Sequence, residues 1–181
     1  MIEKDKLFDL LVHRKNVFAK QLDNGMYIPV KEQFTKERLK EHVGGEKTYG
    51  LYVLDTDNTV KWACIDLDGD DLENLKKDAE QIYDLYPEFT RMLEFSGRRG
   101  YHVWVIFKEP VPAIFAQQLV KSRLNRIKML KYEVFPKQTE LNENRKYGNL
   151  VKIPLAIHRV SGKRSEIIRF DEGEEKVEEG W

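Results

Sequence analysis

An α+β domain is predicted by three features of this sequence. Apolar runs of strand length are joined to their neighbours by turn residues, longer stretches carry apolar residues at helical spacing, and no internal repeat or long linker interrupts them. With 181 residues, 41% of them hydrophobic, the chain is long enough for one domain that buries a core without staples.

Residues 4 to 20 open with helical spacing at Leu7, Leu10, Leu11 and Phe18, and Asp23-Asn24-Gly25 ends the run as a turn. Met26 to Val30 reads as a short edge strand, because Pro29 removes a ladder donor. Thr35 is placed to cap a brief helix that stops near Gly44-Gly45. Tyr49 to Leu54 and Val60 to Asp66 flank Asp55-Thr56-Asp57-Asn58 and together read as a hairpin. Leu72, Leu75, Ala79, Ile82, Tyr83 and Tyr86 share one face of a helix that Pro87 terminates. Arg91 to Phe95 and Tyr101 to Phe107 are strands around the turn Ser96 to Gly100, and Pro112 suits the first position of a helix reaching to Lys128. Residues 132 to 148 are polar and irregular, Leu150 to Pro154 and Glu166 to Asp171 are the last strands, and Glu172 begins an acidic tail.

Composition narrows the class of protein. The single cysteine, Cys64, sits in an apolar run, so a disulfide framework is excluded and a small core residue in a reducing compartment is expected. No stretch reaches the roughly 18 consecutive apolar residues of a membrane span, and Met1 to Asp5 do not open a signal peptide. A soluble cytoplasmic protein with no membrane partner is the expectation. Net charge is zero, yet residues 121 to 164 hold twelve Lys and Arg against three Glu. Such segregation predicts a basic face on an otherwise acidic body, of the kind that meets nucleic acid.

The chemistry is concentrated at Asp66 and Asp68, at the end of the run Ala63 to Asp68. Residues two apart on a strand project to one side, so both carboxylates face the same spot while Ile65 and Leu67 face the core. Paired hard oxygen donors suit Mg²⁺ or Mn²⁺ and point to nucleotidyl or phosphoryl transfer. A surface turn would also use Asp66 to Asp71, but no turn needs the apolar strand that leads into the pair. A calcium loop starting at Asp66 would want Gly where Asp71 stands and Glu where Lys77 stands. A haloacid-dehalogenase-like phosphatase remains open, since Ile65 to Gly69 resembles its Asp-x-Asp-Gly strand end. Its further acidic loop has no counterpart, because no aspartate lies between Phe89 and Phe170.

The order of the remaining motifs resembles the archaeo-eukaryotic primase superfamily. Asp66-x-Asp68 is followed by Ser96-Gly97-Arg98-Arg99-Gly100-Tyr101-His102 and later by Phe170-Asp171. Gly44 to Tyr52 and Leu150 to Arg159 are similar to segments of the primase-polymerases of CRISPR-associated and mobile-element conflict systems, and matching segments span residues 14 to 171. The resemblance implies a core of mixed or antiparallel sheets with an RRM-like catalytic subdomain flanked by helices. A single domain over 1–181 would comprise an N-terminal part (about 1–48), a catalytic core (about 49–171) and the acidic tail (172–181).

It further implies a template-dependent nucleotidyltransferase that joins nucleotides to a 3′-hydroxyl on single-stranded DNA with two Mg²⁺ or Mn²⁺ ions. Asp66, Asp68 and Asp171 would be the catalytic metal ligands. Ser96, Arg98, Arg99, Gly100, His102, Lys152, His158 and Arg159 would hold the triphosphate, and Tyr27, on an edge strand, is the sugar-side candidate ahead of Tyr52 and Tyr101. No Cys or His cluster for zinc is present. Nucleoside triphosphates, template and primer are the implied partners, with further domains and CRISPR or replication proteins beside them. A non-catalytic primase-like domain that only binds nucleic acid stays open as a further alternative.

Overall fold

The computed structural model describes residues 2–128 and 131–173, so most of the acidic tail lies outside the described residues. The elements are α1 (Lys4–Leu11), β1 (Phe18–Gln21), β2 (Tyr27–Val30), α2 (Lys36–Gly44), β3 (Tyr49–Tyr52), β4 (Thr59–Asp68), α3 (Leu72–Tyr83), β5 (Thr90–Phe95), β6 (Gly100–Pro112), α4 (Ala113–Leu124), β7 (Glu133–Phe135), β8 (Leu150–Lys152) and β9 (Glu166–Asp171). They form an α+β fold of two antiparallel sheets, ordered β2-β1-β3-β8 and β7-β4-β6-β5-β9. Among the described residues no helix is long and apolar enough to cross a membrane.

The alternation along β4 explains the layering. Trp62 donates its indole N–H to the Leu11 carbonyl of α1 at 2.9 Å, so even-numbered residues of β4 face α1 and the smaller sheet. The opposite row, Ile65, Val103, Leu93 and Val134, is buried against α3 and α4, and Arg91 of that face donates to the Tyr83 carbonyl of α3 at 3.0 Å. One apolar core runs through both sheets, with Trp62 and Trp104 edge-on at its centre, 4.7 Å between rings.

Several local signals act as expected. Thr35 caps α2, Gly45 ends it at φ 86°, and the proline-bearing β2 is an edge strand. Others are overruled by tertiary pairing. Phe18 belongs to β1 rather than to the first helix, because its side chain packs edge-on against Phe34 and Tyr49. The expected hairpin of Tyr49–Leu54 with Val60–Asp66 does not form. β3 pairs with β1 and β8 in one sheet while β4 pairs with β6 and β7 in the other, so the Asp55–Asn58 turn carries the chain between layers. The polar stretch 132 to 148 contains a strand, β7, too short to announce itself by alternation.

Candidate active site

Four strands of the larger sheet place four polar side chains in one row on the face toward the smaller sheet. Glu133 pairs with Asp66, Asp66 with His102, and His102 with Glu94. Directly opposed residues of antiparallel strands share a face, with Cβ atoms about 5 Å apart. The next row inward, Phe135, Cys64, Trp104 and Met92, is apolar. Asp68 lies one pleat beyond Asp66, opposite Gly100, where the sheet opens to solvent.

The Ser96–Gly100 turn hangs over this end. The Ser96 N–H donates to the Gly100 carbonyl at 2.9 Å, and the Gly69 N–H donates to the Arg99 carbonyl at 3.0 Å. Gly100 is required by packing, since a Cβ there would overlap the Leu67 carbonyl oxygen of β4. Replacing Gly100 with alanine is therefore expected to destabilise the fold by about 3 kcal/mol or more, read as a lowered thermal unfolding midpoint. Arg99 holds Asp68 and Asp70, each at 3.6 Å, and Ser161 Oγ pins the turn by donating to the Gly97 carbonyl at 2.8 Å.

Beneath the turn lies a charged cluster. Glu94 is fully buried; its Oε2 meets His102 Nδ1 at 3.0 Å and accepts from Trp104 Nε1 at 2.9 Å, and its Oε1 is 3.7 Å from Lys152 Nζ. Burial opposes ionisation of Glu94, yet the charges of His102 and Lys152 outweigh it and hold the carboxyl well below its usual range, at about 2. Burial likewise opposes protonation of His102, but Glu94 on one side and Asp66 at 3.4 Å on the other raise it to about 9. His102 is thus a cation wedged between a buried carboxylate and the metal-site candidate Asp66. Lys152, itself buried, has no hydrogen-bond partner for its ammonium among the described residues, and it arrives from β8 of the opposite sheet.

Asp66, Asp68, Ser96, Arg98, Arg99, Gly100, His102, Lys152 and His158 line one cleft of about 210 Å³. His158 accepts at Nδ1 from the backbone of Val160 and Ser161, and burial together with Lys152 and Arg98 lowers its pKa. Its Nε2 is the ring nitrogen left for a ligand. Tyr27 borders the cleft rather than lining it. Its ring lies over Gly50, which pairs with Lys152, and burial with nearby Glu94 raises its hydroxyl pKa.

Two expected residues are not brought to the cleft. Arg159 is spent on structure, its Nε donating to Thr48 Oγ1 and its Nη2 to the Gly45 carbonyl, both at 2.9 Å. Asp171 pairs with Arg91 on the face toward α3, where it accepts from the Tyr83 hydroxyl at 2.6 Å. The sheet itself separates it from Asp66 and Asp68. The reason is parity: Asp171 is in register with an odd-numbered residue of β5, and the metal-site candidates with even ones.

The acidic residue in register with Asp66 on the neighbouring strand is Glu133, whose exposed carboxylate meets Lys137 at 3.1 Å and does not line the cleft; it is hidden in a stretch whose sequence reads as irregular. Its one signal is the apolar step Val134-Phe135 before Pro136 in an otherwise basic segment. Glu94 is equally unmarked, although an acidic residue inside an apolar strand needs a buried partner. A separate trio, His13, Asp55 and Asp57, has ligand atoms within 4.8 Å of one another, and it lies away from this cleft at the β3–β4 crossover.

The family described as the archaeo-eukaryotic primase domain of the TOTE conflict system matches residues 4–181. The chain belongs to this family. No curated protein matches the chain. Membership places this primase-type domain among nucleotidyltransferase-like proteins whose superfamily generally uses divalent metals. The match takes in Asp66 to Gly69, the segment on which the phosphatase alternative rested. For a primase-type domain the donors of the cleft fit a hard divalent ion in kind: Asp66 and Asp68 supply carboxylate oxygens, and Cys64 is buried and drawn up in pKa by burial.

Proposed function

We propose that the domain is a template-dependent nucleotidyltransferase that joins nucleotides to a 3′-hydroxyl on a single-stranded DNA template. The observation that carries this reading is the convergence on one cleft of two strand-end carboxylates with two arginines, a lysine and two histidines. Acidic groups alone would hold a cation, and basic groups alone would hold a phosphate. A nucleoside triphosphate with its metal ions needs both, side by side.

Asp66 and Asp68 would hold Mg²⁺ or Mn²⁺, with Glu133 as the third carboxylate in place of Asp171. Such ions supply charge stabilisation at the attacking and leaving oxygens of an in-line displacement. His102, held cationic by Glu94, and Lys152 present positive charge from the floor of the cleft. Arg98 and Arg99 add charge-assisted donors from the turn, and Ser96 and His158 complete the triphosphate side. Tyr27, beside Lys152, is the sugar-side candidate.

Extension of a primed single-stranded template with labelled nucleotide tests the reading. Glu133→Gln is expected to lower incorporation by about a hundredfold, as removal of one electrostatic stabiliser commonly does, while Asp171→Asn is expected to leave the rate within about twofold. The reverse ranking would return the third carboxylate to Asp171. Strand binding that ignores both metal and nucleotide, with no extension, would instead support a binding-only domain.

A further inference from the structure

Beside the cleft lies a groove of about 610 Å³ whose outer wall is the stretch 136–149. Two chain segments connect the two. On β8, Leu150 lines the groove and Lys152, two residues on, lines the cleft; on β7, Glu133 adjoins Asp66 and is met by Lys137 of the groove at 3.1 Å. Lys137, Arg145 and Lys146 line the groove, and among the described residues no acidic one does. Glu140 and Glu143 of the same stretch are exposed and lie off it. Arg145 and Lys146 are exposed and make no ion pair among the described residues.

Tyr52 and Tyr147 also line the groove, their ring centroids 5.4 Å apart. The wall is built rather than loose. Arg14, 5% exposed, donates to the Tyr147 carbonyl at 3.0 Å, the Lys146 carbonyl at 3.3 Å and the Leu54 carbonyl at 3.2 Å. Gln117 of α4 donates to the carbonyls of Pro136 and Lys137 at 3.0 and 3.1 Å, and Asn142 Oδ1 accepts from the backbone N–H groups of Asn144 and Arg145. Uncommitted cations beside aromatic rings, on a wall already in place, match a strand whose phosphates need charge and whose bases need a π-face.

We propose that this groove binds one single-stranded stretch of nucleic acid, with Lys137, Arg145 and Lys146 on its phosphates and Tyr147 against a base, and delivers that strand to the cleft. The delivery rests on the polymerase reading above; the binding itself does not. The test is anisotropy of a fluorescein-labelled oligothymidylate titrated with the full chain in a chelating buffer, where no metal-dependent chemistry runs. R145E/K146E is expected to weaken binding at least tenfold, and to flatten the logarithmic salt dependence by about 0.7 for each phosphate the variant no longer neutralises.

Y147L is expected to weaken binding with the salt dependence unchanged, since stacking carries no counterion release. Lys108→Glu, an exposed charge reversal at the far end of β6, is the control, and thermal unfolding checks that each variant is folded. R145Q/K146Q with a smaller loss in the same direction would support the proposal. Unchanged binding by R145E/K146E, or displacement of the strand by poly-glutamate as readily as by unlabelled oligothymidylate, would overturn it. A parent that binds the strand through this groove but extends no primer with Mg²⁺ or Mn²⁺ would overturn the polymerase reading and leave the groove standing.

Discussion

Replacing Asp66 and Asp68 together with asparagine is expected to cut nucleotide incorporation by about a thousandfold or more, because both carboxylates stabilise charge that develops only in the transition state. That factor corresponds to about 4 kcal/mol of barrier. The fold should survive. Asp68 is exposed at the strand end, and Asp66 is half-buried with a single 3.4 Å contact to His102. Asparagine keeps the shape and removes the charge, so a metal effect is separated from a packing effect. Chelation should mimic the double variant in the parent, and Mg²⁺ or Mn²⁺ should restore only the parent. A double variant that extends primers at the parental rate would remove the basis for placing chemistry at this pair.

Glu94→Ala is expected to be the most damaging polar substitution for stability, costing about 3–5 kcal/mol, as removal of one partner from a buried ion pair does. His102 and Lys152 would be left as buried charges without their anion. The pH dependence of the parent follows from the same cluster. Glu94 is held at about 2 instead of 4.5, so its contribution is complete above pH 4.5 and is lost as pH falls toward 2. His102 is held at about 9 instead of 6.5, so its contribution is complete below pH 6.5 and is lost as pH rises through 9. The two overlap between pH 4.5 and 6.5, where chelated protein should show its highest unfolding midpoint. Many carboxylates shape the acid side, so the alkaline limb is the diagnostic one. In Glu94→Ala that limb should flatten, because the histidine has lost the carboxylate that raised it; an unchanged limb would show that Glu94 does not hold the proton on His102.

His42 shows how a buried histidine differs when backbone groups rather than a carboxylate are its hydrogen-bond partners. It accepts at Nδ1 from the Tyr49 N–H at 2.9 Å, and Nε2 lies 3.0 Å from the Ile153 carbonyl and 3.1 Å from that of Pro154. Burial dominates and lowers its pKa to about 4, so it is a neutral strut that ties α2 and β3 to the segment after Lys152. From sequence, His42 and His102 are two histidines of equal standing. Only the residue across the strand tells the cation from the strut.

Local chemistry was legible in the sequence because it depends on residues close along the chain. Asp66 and Asp68 share a face by the two-residue period of a strand, the Ser96–Gly100 turn is written in its glycines, and Thr35 and Gly45 bound α2 as their capping chemistry dictates. Asp66, Asp68 and the turn from Ser96 to Gly100 meet in one cleft on those local signals, whereas His102, Lys152 and His158, which join them there, are expected from the family resemblance. Pairing across the sheet was not legible, because an apolar alternation is the same whichever strand lies beside it, and a shift of one residue moves a side chain to the other face. That is why Asp171 stands behind the sheet and Glu133 beside Asp66, and why β3 and β4 part into different layers. The carboxylate pair and the Gly-rich turn are thus written in residues adjacent along the chain. Which acidic residue lies in register with Asp66 and which buried anion lies beneath the turn is a matter of tertiary structure, because both follow from register between strands distant in sequence.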